Sequence, residues 1–234
     1  MRTLSILSRK GGTGKTTLAL HLAVAARASG LSTIVADLDR QQSAVDWRRL
    51  REPDDLRVEA VKPGALFPRQ QDLARQGADL LIVDTGPSVE GDVEQAARCA
   101  DLCVIVARPN FFDVRAVADS AVLVSGLFRP AVFVINQAPS RRSGLEAPAV
   151  VRAVRDLQGL GHPVAPIGLR ARAAYQHGVA AGLTAQELEP HGVAACEIGA
   201  LWSWMFAALW STDDHAVAGP YPVANAAPEI RPAY

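Results

Sequence analysis

Cysteine is scarce in this 234-residue chain, and charge of neither sign prevails. The three cysteines are Cys99, Cys103 and Cys196, and no two of them form a Cys-x-x-Cys pair. An odd number without that spacing fits a reducing compartment such as the cytosol, and it excludes a disulfide framework or a tetrathiolate metal site. The 24 Lys and Arg residues equal the 24 Asp and Glu residues, so the chain is not a uniformly basic nucleic-acid binder. Any contact with nucleic acid must come from a local patch.

We also expect no secretory leader. After Met1 the apolar run Thr3–Leu7 is too short for the core of a signal peptide. The longest apolar stretch, Val193–Trp210, is at the lower length limit for spanning a bilayer, and we interpret it as a buried last helix. Prolines interrupt the final residues, Ala227–Tyr234, so an amphipathic membrane-binding helix cannot form there. We therefore expect no stable membrane anchor.

What the chain does contain is a repeated alternation of short apolar runs and longer, Ala-rich stretches. Its apolar fraction of 49 % is enough to bury a substantial core and excludes disorder as the main state. Continuous apolar runs indicate strands that are covered on both faces, and the intervals between them leave room for helices. We predict an α/β fold with a doubly wound, mostly parallel sheet and helices on both faces. The predicted strands are Thr3–Ser8, Ser32–Asp37, Leu56–Ala60, Asp79–Asp84, Asp101–Ala107, Ala131–Asn136 and Val164–Ile167.

We expect one domain, residues 1–210, followed by a tail of different composition. A helix is predicted over Thr16–Ser29, with Gly30 at its C-terminal cap. The tail, Ser211–Tyr234, holds four of the fifteen prolines and shows no helical periodicity. We expect it to be a poorly ordered extension of the domain.

The first strand-to-helix turn carries the most specific motif, Arg9-Lys10-Gly11-Gly12-Thr13-Gly14-Lys15-Thr16-Thr17. Glycines let successive backbone N–H groups approach an anion, and the helix that follows presents its positive N-terminus. Lys15 is placed to reach the β- and γ-phosphates of a nucleotide, and the Thr16 hydroxyl can ligate Mg²⁺. The predicted nucleotide-binding residues of this loop are Lys10, Gly11, Gly12, Thr13, Gly14, Lys15, Thr16 and Thr17.

The motif resembles the deviant Walker A loop of the ParA and MinD ATPases, Lys-Gly-Gly-x-Gly-Lys-[Thr/Ser]. The strict P-loop pattern has glycine where Arg9 stands, and the deviant form adds a second lysine, here Lys10. In that family the extra lysine contacts the phosphates bound to the partner subunit. The resemblance therefore implies an ATP-sandwich homodimer in which Lys10 crosses the interface. The likeness spans about residues 1–210 and is greatest to the short ParA type.

Three aspartates follow predicted strands near this loop. Asp37 and Asp39 stand at the end of the second predicted strand, and Asp84 ends the fourth. The ends of parallel strands face the ligand crevice, so these carboxylates should face the phosphates. The resemblance implies that Asp39 orients the attacking water and Asp37 supports the Mg²⁺ shell, while Asp84 holds Mg²⁺ through water in the Walker B position. Arg40 replaces the proline usual in the family, so we expect a less stiff loop there.

Asn136 stands at the position where ParA-like proteins hydrogen-bond adenine. The sequence there is Asn136-Gln137-Ala138-Pro139, without the Asn-Lys-x-Asp pattern of guanine-specific P-loop proteins. An amide can both donate to and accept from a base, so ATP is favoured over GTP. A turn-forming asparagine explains the same residue, and this alternative stays open.

The resemblance implies a weak ATP hydrolase that a ParB-like or adaptor partner stimulates. Lys10, Lys15 and Asp39 would be its catalytic residues, and ATP, ADP and Mg²⁺ its ligands. Such a protein acts as a nucleotide switch that positions a cargo, whether plasmid, chromosome region or protein complex, and we expect it in the cytoplasm on the nucleoid. Non-specific DNA binding would need clustered arginines, although solvated helix faces explain the same residues. The candidates are Arg141, Arg142, Arg152, Arg155, Arg170 and Arg172.

Three other functions fit parts of the pattern. A MinD-like ATPase would work at a membrane surface and regulate a partner complex. An iron–sulfur reductase of the nitrogenase iron-protein kind would need thiolates such as Cys99 and Cys103 at the dimer face, although small buried side chains explain both. A scaffold protein would bind ATP as a structural ligand without hydrolysing it.

Overall fold

The computed structural model describes residues 1–52, 54–87 and 90–210. These residues form one parallel sheet with helices on both faces, so the predicted α/β class is confirmed. The tail predicted to be poorly ordered, Ser211–Tyr234, lies outside the described residues.

Six strands build the sheet, and all of them run in the same direction. They are β1 (Arg2–Leu7), β2 (Thr33–Asp37), β3 (Arg57–Ala60), β4 (Leu80–Asp84), β5 (Leu102–Ala107) and β6 (Ala131–Ile135). Their order is β3-β2-β4-β1-β5-β6, and every neighbouring pair is parallel. The carboxyl ends of β2, β4 and β1 therefore lie side by side.

Helices cover the two faces of the sheet in separate groups. They are α1 (Lys15–Ala28), α2 (Ser43–Leu50), α3 (Leu66–Arg75), α4 (Glu90–Cys99), α5 (Phe111–Gly126), α6 (Pro148–Gln158), α7 (Ala173–Ala180), α8 (Ala185–Leu188) and α9 (Val193–Trp210). One hydrophobic core joins α1, α2 and α7 to α9 to one face of the sheet, and a second core joins α3 to α6 to the other. The central strands are buried on both faces, which explains their unbroken apolar sequences.

The seventh predicted strand, Val164–Ile167, is wrong. Val164 makes only an isolated bridge to Phe133, and the chain then follows the edge of β6 through single hydrogen bonds. Pro163, just before this bridge, has no N–H to donate, and after Ala165 the next backbone donor to β6 is Leu169, so no regular ladder forms. The sheet therefore ends at β6.

The first helix is confirmed, but it ends at Ala28 with Ser29 as its C-cap, so the predicted cap residue Gly30 lies one position further on. Gly30 has φ 88°, and the N–H groups of Gly30 and Leu31 bond back to Arg27 and Ala26. This left-handed turn satisfies carbonyls at the helix end, and glycine adopts it without steric cost.

Helix α9 packs on α1 along the buried side chains of Ile198, Leu201, Trp202, Met205 and Leu209. Among the described residues it is the single helix long and apolar enough to cross a bilayer. Of its 18 residues, 39 % are buried inside the protein. A soluble core helix meets the same criterion, so this feature is weak evidence for a membrane span.

Candidate nucleotide-binding site

Three adjacent strand ends bring the predicted phosphate loop and aspartates together. In the register of the sheet, Asp84 on β4 lies opposite Ile6 on β1 and also opposite Asp37 on β2. The phosphate loop, residues 8–14, follows β1 directly and leads into α1. Residues that are distant in sequence thus share one crevice at the carboxyl edge of the sheet, where ligands bind in folds of this class.

Two glycines give the phosphate loop its tight curve. Gly12 has φ 72° and Gly14 has φ 87°, a region in which other residues are strained. Gly14 also has no space for a side chain, because a Cβ there would lie 2.4 Å from Nδ2 of Asn136. Among the described residues no side chain caps the N-terminus of α1. Its first N–H groups are therefore available to an anion.

Lys15 lies beneath the loop and faces the aspartates. It is only 6 % exposed, and its Nζ donates to the backbone oxygen of Lys10 at 3.3 Å. Burial lowers the pKa of Lys15, and the negative charges of Asp84 and Asp39 act in the opposite direction. Its ammonium is thus held beside the acidic strand ends of the crevice.

Asp84 is a buried carboxylate that lacks a partner. Within the part of the chain that the structure describes, neither of its oxygens accepts a hydrogen bond, and the residue is 0 % exposed. Burial raises the pKa of Asp84 to about 7; Asp37 and Asp39 add to the rise, whereas Thr16 and Lys15 oppose it. Unpaired buried oxygens of this kind are functional-site candidates, since they lose hydration without compensation.

The residues present fit Mg²⁺ delivered with a nucleotide. No group of three or more His, Cys, Asp or Glu side chains that could hold a metal occurs in the described ranges. Magnesium in nucleotide sites, however, uses one or two carboxylates together with phosphates and water. The orphan oxygens of Asp84, together with the hydroxyl of Thr16, a residue that lines the cleft, provide that partial set.

Asp37 has a structural task in addition to its predicted one. Its Oδ1 accepts from the N–H of Asp39, and its Oδ2 accepts from the N–H groups of Ala44 and Val45 at 3.0 and 3.2 Å. Burial raises the pKa of Asp37, and these three backbone donors partly offset the rise. The carboxylate thus fixes the loop that carries Asp39 onto the start of α2. Its support of Mg²⁺ stays a prediction.

Asp39 stands at the mouth of the phosphate cleft. This cleft of about 340 Å³ is lined by the phosphate loop together with Asp39, Gln41, Ser43 and Pro87. Asp39 Oδ1 accepts from the N–H of Gln41 at 3.0 Å, and its side chain rests on Gly86, where a Cβ would come within 3.1 Å of it. Arg40, which the resemblance places where proline is expected, is exposed.

A second cavity of about 340 Å³ adjoins the loop on the side of α7. Residues 169–173 line it together with Asn136, Gln137 and Gln176. Nδ2 of Asn136 donates to the Thr13 carbonyl at 2.7 Å, and Nε2 of Gln137 donates to that of Gly12 at 3.1 Å. Asn136 therefore braces the loop, and its contact with adenine stays a prediction. Sequence reasoning missed Gln137 and segment 169–173, although the amide next to Asn136 was a usable signal.

Lys10 does not line the phosphate cleft. Its ammonium forms an ion pair with Asp113, a completely buried residue at the start of α5. The ring of Phe112 lies 5.9 Å from Lys10 Nζ. The sequence prediction assigned no role to Asp113, because this contact joins two distant parts of the chain.

The predicted DNA-binding arginines do not form one exposed strip, which corrects that expectation. Arg170 is 6 % exposed and pairs with Glu146, which also binds Arg141. The guanidinium of Arg172 pairs with Glu197. Arg141 is exposed despite its pair with Glu146, and the remaining candidates also lie on the surface, namely Arg142, Arg152 and Arg155.

The cysteines do not resemble a cluster site. Cys103 lies inside β5 and is 0 % exposed, and burial raises the pKa of its thiol to about 12. A thiol in that environment stays protonated, whereas a metal ligand must be a thiolate. Cys99 ends α4 and is half-buried, and burial raises its pKa as well.

Comparisons with known proteins agree with this geometry. The family described as the CobQ/CobB/MinD/ParA nucleotide binding domain matches residues 4–174. Two relatives are both named maintenance of carboxysome distribution protein A. That of Halothiobacillus neapolitanus is 27 % identical over 206 residues, or 83 % of this chain and 91 % of the relative. That of Gloeobacter kilaueensis is 30 % identical over 189 residues, or 78 % of this chain and 83 % of the relative.

The fold is also found among solved structures. The septum site-determining protein MinD of Pyrococcus horikoshii, complexed with Mg-ADP, superposes with a TM-score of 0.73 at 16 % identity. The match covers 87 % of this chain and 95 % of that one. The family match spans most of the described domain and includes the phosphate loop, the three aspartates and Asn136. This chain therefore belongs to the CobQ/CobB/MinD/ParA family of nucleotide-binding proteins.

Proposed function

We propose that this protein is a ParA-type ATPase that pairs with a second copy when ATP is bound, hydrolyses ATP slowly and positions a protein cargo. The observation that carries the proposal is the unpartnered carboxylate of Asp84 facing Lys15 beneath the phosphate loop. A cation and a buried anion with free oxygens at one helix N-terminus match the needs of a magnesium triphosphate.

Different residues at the cleft would bind the phosphates, hold Mg²⁺ and orient the attacking water. The loop N–H groups and Lys15 hold the triphosphate and stabilise charge as the terminal phosphoryl leaves. Asp84 and Thr16 would hold Mg²⁺, which supplies further charge neutralisation at the phosphate oxygens. Asp39, at the mouth of the cleft, accepts a hydrogen bond from the attacking water. The products are ADP and phosphate.

The cargo follows from the relatives and not from the cleft. Both relatives are named for carboxysome distribution, and one of them is matched over 91 % of its length. We therefore assign this chain the positioning of a large protein body, with an adaptor protein as the stimulating partner. Its site of action would be the cytoplasm.

The Asp39→Ala variant tests the reaction. We expect it to bind ATP and pair with a second copy, while phosphate release falls about 100-fold, a loss typical for a group that positions a reactant. Asp46→Ala is the matched control, since Asp46 is an exposed aspartate on α2 paired with Arg49. Lys15→Ala sets the background. If Asp39→Ala hydrolysed ATP at the wild-type rate, Asp39 would not orient the attacking water. If wild type released phosphate no faster than Lys15→Ala, the protein would be a scaffold that binds ATP without hydrolysing it.

The pairing of two copies is tested by light scattering. With Mg²⁺ and a non-hydrolysable ATP analogue we expect twice the monomer mass, and with ADP the monomer. Because Lys10 lies outside its own cleft, Lys10→Ala should bind nucleotide normally and remain a monomer. A Lys10→Ala protein that pairs like wild type would contradict the sandwich arrangement.

We propose that the ATP-bound protein binds DNA non-specifically and positions its cargo along it. Arg142 and Arg152 are exposed, and a double alanine variant of them should lose salt-sensitive retention on DNA in the ATP state. The control is Arg75→Ala with Arg98→Ala, two exposed arginines on the other helices α3 and α4. Equal retention with ATP and ADP would contradict DNA as the surface. So would flotation with liposomes, which would favour a MinD-like role for α9.

A further inference from the structure

The two lysines of the phosphate loop are held by different carboxylates. Lys15 is buried among aspartates of its own crevice, whereas the side chain of Lys10 is 35 % exposed and pairs with Asp113. Asp113 itself is 0 % exposed. The ammonium of Lys10 therefore closes the outer side of a buried anion and is the part of this pair that can leave.

Asp113 keeps other partners when Lys10 is set aside. The Arg108 guanidinium donates to both carboxylate oxygens, and Nδ2 of Asn110 donates to Oδ2 at 2.8 Å. The Asp113 N–H in turn donates to Oδ1 of Asn110 at 3.0 Å, which caps α5. Burial acts to raise the pKa of Asp113, but hydrogen bonds from Arg108, Lys10 and Asn110 outweigh it and lower the pKa. The carboxylate would thus stay ionised and hydrogen-bonded without Lys10.

The surroundings of Lys10 are open on the side away from Asp113. Phe111 and Phe112, the first residues of α5, are 65 % and 74 % exposed, and the ring of Phe112 lies beside the ammonium. No rearrangement of the core is needed for Lys10 to swing outward. Its present position and an outward one therefore differ mainly in the anion it contacts.

We propose that Asp113 is a positioning residue that retains Lys10 on its own subunit until the triphosphate bound to a second copy competes for it. Asp113 thereby sets how strongly two ATP-bound copies associate and prevents Lys10 from serving the interface when the second copy carries no triphosphate. This proposal rests on the ATP-dependent pairing proposed above.

The test is Asp113→Asn, which removes the charge and keeps the size of the side chain. With Mg²⁺ and a non-hydrolysable ATP analogue, we expect its dimer dissociation constant to be about tenfold lower than that of wild type, because one partly buried ion pair per subunit no longer opposes association. The measurement is sedimentation velocity over a series of protein concentrations. The matched control is Asp119→Asn on the same helix, since Asp119 is 69 % exposed and pairs with Arg9 next to Lys10. We expect it to associate like wild type.

The effect must act through Lys10. In a Lys10→Ala background, Asp113→Asn should not strengthen association, and a tighter double variant would overturn the proposal. A folded Asp113→Asn protein that associates as wild type or more weakly would also overturn it. A wild type that stays monomeric would refute the proposed dimer itself, whereas a dimeric wild type with an unchanged variant refutes only the role of Asp113.

A second measurement does not depend on the variant being stable. The chain has only three lysines, Lys10, Lys15 and Lys62, so acetylation at each can be followed separately by mass spectrometry. Lys62 is exposed and serves as the internal reference. In nucleotide-free wild type we expect Lys10 to react at least about threefold more slowly than Lys62, since its ammonium is engaged by Asp113 and its side chain is partly covered. Equal rates would show that Asp113 does not hold Lys10 and would overturn the proposal.

Discussion

Lys10 and Lys15 lie five positions apart in the sequence, yet they differ in exposure and in the carboxylates that surround them. Lys15 is 6 % exposed and faces Asp84 and Asp39 at strand ends that the sheet fixes in place. Lys10 is 35 % exposed, lies against Phe112 and pairs with the first turn of α5.

In the proposed pairing of two copies, this difference separates the roles of the two lysines. We expect the buried Lys15 to contact only the nucleotide bound in its own crevice, because burial and its neighbours restrict its direction. A lysine on an exposed stem can exchange one anion for another at small cost. Interior groups should therefore control nucleotide affinity and stability, and the outer pair should control association.

The largest effect is expected from the titration of Asp84, one of the buried groups around Lys15. Its pKa in the folded chain is about 7, above the usual value of 3.8, so the folded state binds this proton more tightly than the unfolded state does. Stability from this group is thus fully present below about pH 4 and is lost as pH rises towards 7, by about 4 kcal/mol. Asp84→Asn should be more stable than wild type at pH 7 by up to that amount, measured by urea unfolding without nucleotide or Mg²⁺.

His21 provides the internal check on this titration. Burial lowers the pKa of His21 to about 4 from 6.5, so its contribution has the opposite sign and is lost as pH falls from 6.5 towards 4. In wild type the contributions of His21 and Asp84 oppose one another between these pH values, so the stability of Asp84→Asn should rise with pH more steeply than that of wild type. A variant with the same pH profile as wild type would contradict the assignment of Asp84.

The second test separates the two lysines directly. Lys15→Ala should weaken binding of MgADP at least about 100-fold, or about 3 kcal/mol, because it removes the buried cation from the phosphate cleft. Lys10→Ala should leave MgADP affinity within about twofold of wild type, since Lys10 lies outside that cleft. Isothermal titration calorimetry measures both.

One result would contradict the proposal that the two lysines have different roles. If Lys10→Ala lost as much MgADP affinity as Lys15→Ala, both lysines would serve the same subunit. Lys62→Ala is the control for loss of a lysine elsewhere, since Lys62 is exposed and does not line the cleft.

Much of the fold could be predicted because its signals are local. Buried parallel strands appear as continuous apolar runs, and each of the first six runs overlaps an observed strand to within one or two residues. The seventh run failed because apolar content does not reveal whether N–H groups are available, and Pro163 and Pro166 remove two of them.

The site was predictable to the extent that its motifs are contiguous. The phosphate loop and the strand-end aspartates could be placed, but the contacts that decide their tasks join distant segments. Asp113 on Lys10, Glu146 on Arg170 and Glu197 on Arg172 are pairings of this kind. A charge in a sequence does not show its partner, so a strip of arginines was expected where the structure has ion pairs.

The third test concerns the loop that carries both lysines. Gly14 and Gly30 have φ 87° and 88°, so alanine strains the backbone equally at both, by about 1–2 kcal/mol. Only at Gly14 does the new Cβ meet an obstacle, Nδ2 of Asn136 at 2.4 Å, whereas nothing lies within 4 Å at Gly30. Gly14→Ala should therefore lose about 2 kcal/mol more in urea unfolding than Gly30→Ala, together with MgADP affinity. Equal losses would show that Asn136 does not brace the loop.

The smallest effect is expected at Gly86, which lies against the side chain of Asp39. A Cβ on Gly86 would lie 3.1 Å from Cγ of Asp39, closer than ordinary contact, so Asp39 must move by a few tenths of an ångström. Because Lys15 and Asp84 are not displaced, MgADP affinity should be unchanged while phosphate release falls about fivefold, or about 1 kcal/mol in the barrier. Gly64→Ala, with nothing within 4 Å of the new Cβ, is the control for adding a methyl group. If Gly86→Ala lost nucleotide affinity and kept its turnover, Asp39 would belong to the binding residues beside Lys15, and the water would be positioned by another group.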